Sequence, residues 1–129
     1  MNRLRLSTRF HGFLDYVGGL ALLLSPWLIG SGIAAPAALP FLVAGSLFIG
    51  IALLTDFELG MVRVVQVPLH LWIDGLLGLL FALTPWLLGF YRVVWLPHVA
   101  IGIGIVILAF LTQTVPSYER RGAGMTSAR

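Results

Sequence analysis

Cysteine is absent from this chain of 129 residues, and so is lysine. The first absence excludes disulfides, thiol catalysis and iron–sulfur ligation. The second leaves eight arginines as the whole basic complement, against five acidic residues. Charge of either sign is scarce, at 10% of residues, where soluble domains carry about 25%. The net charge of +3 does not indicate nucleic acid. The arginines stand mostly at the two ends and in one connection, with no basic–aromatic stripe for stacking bases and no zinc-finger spacing. A phosphate loop, a dinucleotide fingerprint and a nucleophile elbow are also missing, and Ser25 has no base near it in the pattern. The expectation is therefore no enzyme, no cofactor and no nucleic-acid partner.

What the chain has in abundance is apolar sequence, 59% of its residues, and it has it in a pattern that occurs twice. His11-Gly-Phe-Leu-Asp15 leads through an apolar stretch to Ser25-Pro26-Trp27-Leu-Ile-Gly30. His70-Leu-Trp-Ile-Asp74 leads through another to Thr84-Pro85-Trp86-Leu-Leu-Gly89. One offset, 59 residues, superposes the His, Asp, Pro, Trp and Gly of the two copies. The later parts also match, at an offset of 57: Pro40 with Pro97, Gly45 with Gly102, Thr55 with Thr112. Each copy reads as one helical hairpin, repeat 1 over about 11–57 and repeat 2 over about 70–114, joined by a connection at 55–68. The length suits one domain over 1–129. Because the first apolar stretch recurs as a structural unit, it reads as retained rather than as an excised signal peptide.

Four stretches, Phe13–Ile29, Ala37–Leu54, Leu69–Leu88 and Trp95–Leu111, each hold about 17 to 20 residues, the length of a membrane-crossing helix. Polar alternation is too weak for membrane strands. The expected fold is all-α: an integral membrane four-helix bundle of two hairpins repeated in parallel about an axis along the membrane normal. Arg3, Arg5, Arg9, Arg63, Arg120, Arg121 and Arg129 fall on one side and Arg92 alone on the other. By the positive-inside rule both termini are cytoplasmic. Trp27, Trp86, Trp95 and Tyr91 then form an outer girdle, with Trp72 and Tyr16 near the inner interface.

Within the spans, Pro26 and Pro85 remove backbone donors near helix ends, and the hydroxyls of Ser25 and Thr84 are placed to bond a nearby carbonyl. Gly30 and Gly89 are expected to end those helices. Pro36, Pro40 and Pro97 fit at or near helix starts. Small residues four apart, such as Ser46 and Gly50 or Ala100 and Gly104, permit close packing within or between protomers. Asp15 and Asp74 are the polar residues of most interest. His11 and His70 lie four residues earlier on the same helical face. Two readings stand side by side. In one, the acids fix helix position by bonding an indole, a hydroxyl or Arg63. In the other, the four residues form a ligand- or proton-binding site near the repeat axis. They are also acceptable metal ligands, but no motif such as His-Glu-x-x-His accompanies them, so no metal is expected. Asp56, Glu58 and Arg63 form a charged cytoplasmic connection in which surface pairing is the default.

The two Ser/Thr-Pro-Trp tripeptides, each preceded by Asp at a fixed distance, resemble the bacterial SPW-repeat membrane protein family. Trp95-Leu96-Pro97-His98 and Thr112-Gln113-Thr114-Val115-Pro116 are similar to it as well, so the resemblance covers roughly residues 11 to 116. It implies a small multi-pass protein of the bacterial inner membrane and carries no assigned activity. The function expected is a structural or interaction module in the lipid bilayer, acting as a homo-oligomer or with a membrane protein partner. The alternatives are a small transporter or proton-coupled channel using Asp15 and Asp74, and a lipid- or quinone-binding membrane enzyme.

Overall fold

The computed structural model describes residues 5–29 and 35–120. Within them the chain is all-α, with four main helices: α1 (Thr8–Leu28), α2 (Ala35–Leu54), α3 (Val67–Leu87) and α4 (Leu96–Leu111). Ser7 caps α1, its hydroxyl accepting from the Phe10 amide at 3.2 Å, which satisfies one of the donors every helix start leaves free. Pro68 and Pro97 sit in the first turns of α3 and α4, where the missing N–H costs nothing. Pro40 departs from expectation. It lies inside α2 rather than at its start, because the helix begins further upstream than the apolar pattern suggests.

Pro85 also lies inside its helix. There the Thr84 hydroxyl donates to the Phe81 carbonyl at 2.6 Å, the acceptor that proline leaves without its usual partner. Ser25 donates to Ala21 at 2.8 Å beside Pro26. Gly89 follows the end of α3 with φ +74°, a conformation glycine adopts without strain. Gly30 lies outside the described residues, as do Arg3, Arg121 and Arg129.

The helices pack as two hairpins, α1 with α2 and α3 with α4. Glycine makes each contact close. A Cβ on Gly45 would stand 2.6 Å from the Gly19 carbonyl oxygen, and a Cβ on Gly78 would stand 2.8 Å from that of Gly102. These pairs are equivalent by the two repeat offsets. The hairpins meet chiefly through α2 and α3, over a core of Leu22, Phe41, Ala44, Phe48 and Phe81.

Equivalent segments also close the end where α1 and α3 begin. Leu6 bridges to Thr112, and Val65 bridges to Thr55. The Leu6 amide donates to the Leu111 carbonyl and the Val65 amide to that of Leu54, both at 2.9 Å. The structure thus carries the internal repeat in its packing as well as in its sequence.

The outer surface is apolar. Phe13 and Leu20 on α1, Leu47 on α2, Leu79 on α3 and Ile103 and Phe110 on α4 are all exposed, as are Trp27, Trp72, Trp86 and Trp95. Four membrane-crossing helices were expected. Among the described residues two helices, α2 and α3, are long and apolar enough to cross a membrane by length and composition. The α1 helix opens on polar residues, Thr8, Arg9 and His11, and α4 has 16 residues.

Candidate functional site

Helices α1 and α3 each bring a His and an Asp, one turn apart, to the same buried spot. His11, Asp15, His70 and Asp74 are 5%, 7%, 2% and 1% exposed. The pairing crosses between repeats. His11 Nε2 lies 2.9 Å from Asp74 Oδ2, and His70 Nε2 lies 3.1 Å from Asp15 Oδ2. Contacts within each repeat are similar, 3.4 Å for His11–Asp15 and 3.0 Å for His70–Asp74. The four side chains form a closed ring.

Two threonines fix a proton on the outer nitrogen of each imidazole. Thr55 Oγ1 donates to the Ile51 carbonyl at 2.7 Å, and Thr112 Oγ1 to that of Leu108 at 2.7 Å. A carbonyl has no proton to give, so each hydroxyl spends its single hydrogen there. His70 Nδ1, 2.8 Å from Thr55 Oγ1, must then be the donor, and so must His11 Nδ1, 2.8 Å from Thr112 Oγ1. Both Nε2 atoms consequently face the carboxylates. Each cross-repeat contact is bonded only if a proton lies between nitrogen and oxygen, whichever atom carries it. The ring can hold two shared protons and remain neutral overall. Among the described residues Asp74 Oδ1 is buried without a partner.

The Thr pair was visible in the sequence as a repeat match, Thr55 with Thr112, but no chemistry attached to it there. A hydroxyl four residues after an apolar position is too common to mark a site. The binding partner comes from a different helix in each case. Among the described residues no indole, no hydroxyl and no arginine bonds Asp15 or Asp74; each Asp meets two imidazoles instead.

The charged connection also differs from expectation. Glu58 pairs with no arginine among the described residues. It accepts from Thr8 Oγ1 at 2.6 Å, and from the Ser117 amide at 2.8 Å and the Ser117 hydroxyl at 2.5 Å. Partial burial alone would raise its carboxyl, but the hydrogen bonds from Ser117 and Thr8 outweigh it and hold the group down to about 2. Asp56 accepts from Tyr118 Oη at 2.7 Å. Arg63 lies over the Tyr118 ring, 5.9 Å from its centre, with φ +55°. Phe57 is buried against Gly12 and His70, closing the ring off from this side. A void of about 10 Å³ remains between Thr8, His11, Phe57 and His70, room for about one water.

On the other flank a cavity of about 340 Å³ reaches from His11, Asp15 and Asp74 along Gly18, Leu22, Ile101 and Ile105 to Ser25. It exists because the repeats differ in bulk. The equivalents of Gly18, Leu22 and Ile105 are Leu77, Phe81 and Phe48, which fill the corresponding space between α2 and α3. His98 takes no part in the ring. It is fully buried among Phe41, Phe81 and Phe90, and its Nε2 donates to the Ala37 carbonyl at 3.1 Å. It occupies the position equivalent to Phe41, at the opposite end of the bundle.

Residues 9–112 match the family model described as the SPW repeat domain. No curated protein and no solved structure matches the chain.

Proposed function

The chain belongs to the SPW repeat domain family, and from that premise we propose that it is a noncatalytic, bilayer-spanning four-helix module whose buried His–Asp ring locks its two repeats together. The observation that carries this reading is the crossed pairing, His11 to Asp74 and His70 to Asp15. The buried polar side chains gather at the ring, His98 apart, and large apolar side chains face outward along all four helices, a distribution that a lipid surround favours. At 21 residues α1 is about 31 Å long, matching the hydrocarbon thickness. Its polar opening turn lies at the ring end, near the membrane surface. The 16 residues of α4 give about 24 Å, extended toward the opposite surface by the exposed Trp95. Arg5, Arg9, Arg63 and Arg120 gather at the ring end and Arg92 at the other, a bias that supports a cytoplasmic ring in a bacterial inner membrane. Ser46, with an exposed side chain, and Gly50 and Gly104, with open space beside them, leave flat outer faces suited to contact with a second copy.

The test is the Asp74→Asn variant, alone and with Asp15→Asn. A lock predicts loss of folding yield and a stability decrease on the order of 3 kcal/mol for one broken buried pair, read by thermal unfolding in detergent. Unchanged stability in the double variant sinks the proposal. The cavity touching His11, Asp15 and Asp74 favours a second reading, proton-coupled transport. That reading predicts folded Asp variants with altered proton flux in reconstituted vesicles.

A further inference from the structure

We propose that the His11–Asp15–His70–Asp74 ring binds one divalent first-row transition-metal ion, of the zinc or cobalt type. One ligand atom from each residue can be chosen so that all four lie within 4.8 Å of one another. The four His–Asp separations run from 2.9 to 3.4 Å. Ligand atoms about 2.0–2.1 Å from a tetrahedral ion stand about 3.3 Å apart. The His–Asp edges therefore need to change by only a few tenths of an ångström, while the widest separation among the four ligand atoms, up to 4.8 Å, has to close toward that spacing as the side chains pucker around the ion.

The imidazoles are already in the tautomer that coordination requires. Thr55 and Thr112 hold the Nδ1 protons, which leaves each Nε2 lone pair to point into the ring when no proton is shared there. A hydrogen bond on the far nitrogen is the usual support of a metal-bound histidine, and here both ligands have it, from equivalent positions of the two repeats. Charge also balances. Two neutral imidazoles and two carboxylates sum to −2, which one divalent cation cancels inside a low-dielectric site. Asp74 Oδ1, without a partner among the described residues, marks a carboxylate whose bonding capacity those residues do not fill. Two nitrogen donors select against calcium and magnesium, which take oxygen.

The experiment uses the full chain without an affinity tag, stripped with chelator, in detergent. Cobalt(II) is added and visible absorption recorded, followed by zinc. The expected result is one cobalt per chain, with a visible band that one equivalent of zinc abolishes. His70→Gln and Asp74→Asn should lose the band, and Glu58→Gln should keep it. Thr55→Val and Thr112→Val retain all four ligands and should weaken binding about 10- to 100-fold. Absence of stoichiometric cobalt binding by the wild type overturns the proposal, as does a band undiminished in Asp74→Asn. If the ligand variants fail to fold, unchanged affinity in both threonine variants overturns it. The lock between repeats is judged separately, on the stability of the metal-free protein, so either idea can fail without the other.

Discussion

Thr55 and Thr112 decide which nitrogen of each imidazole faces the ring, although neither touches a carboxylate. Replacing either by Val strands a buried Nδ1–H, which costs about 1–3 kcal/mol. The expected outcome is that loss of stability in the metal-free protein, together with altered imidazole nitrogen shifts in NMR spectra; unchanged shifts would show that the hydroxyls do not fix the tautomer. Glu58 supports a pH prediction of known sign. Its folded-state value of about 2 lies below the ordinary 4.5, so its contribution is present above pH 4.5 and is lost as pH falls through about 2. The Ser117 amide resonance should therefore titrate near pH 2, and a midpoint near 4.5 would mean that the Glu58–Ser117 contact does not form. At this scale the sequence showed His11, Asp15, His70 and Asp74 through duplication alone. It did not show that His11 would reach Asp74, because the spacing of four residues points each histidine at the aspartate of its own helix, and the cross-repeat contact exists only once the first turns of α1 and α3 meet.

Helices and hairpins were largely legible in the chain. Apolar runs broken by Ser/Thr-Pro-Trp and Gly gave four segments whose observed ends agree to within a few residues, apart from α1, which begins at Thr8 rather than Phe13. That difference arises because the Ser7 cap and the buried His11 extend the helix beyond its apolar stretch. The role of glycine divides by position in a way that composition does not disclose. Gly45 and Gly78 sit where the partner helix backbone approaches, while Gly50 and Gly104 face open space. Gly45→Ala should destabilise the hairpin by about 1–3 kcal/mol through overpacking. Gly104→Ala should be neutral in packing and gain up to about 1 kcal/mol of helix propensity. Thermal unfolding of the two variants in the same detergent compares them directly, and equal effects would refute the close approach.

For the molecule as a whole, the repeats are equivalent in backbone pairing and unequal in bulk. Val65 repeats Leu6, Thr55 repeats Thr112, and the bridges between them repeat as well. Phe48, Leu77 and Phe81 fill the space between α2 and α3, whereas Ile105, Gly18 and Leu22 leave the cavity between α4 and α1. Gly18→Leu copies the second repeat into the first and removes a helix glycine. It should raise stability by about 1–2 kcal/mol, from helix propensity and partial burial of the new side chain. It should also reduce any flux that uses the cavity. A loss of stability would mean that the space is not free to accept a side chain. The exposed apolar band carries its own expectation. Brominated lipids should quench tryptophan fluorescence most when the bromines lie close to the headgroups, since all four tryptophans stand near helix ends; quenching strongest at the bilayer centre would contradict the proposed placement.

The all-α class, the duplication, the hairpin as the repeating unit and the importance of His11, Asp15, His70 and Asp74 can be read from the order of residues along the chain. Those properties follow from periodicity, composition and spacing along one chain. Folding alone brings about the crossing of the His–Asp pairs between repeats, the hold of two threonines on the imidazoles, the bonding of Glu58 to hydroxyls instead of arginine, and the cavity on one side of the ring. Each of these depends on which side chains meet across helices, and on whether the bulk on two facing helices suffices to fill the space between them. Neither is encoded in the local pattern of one segment.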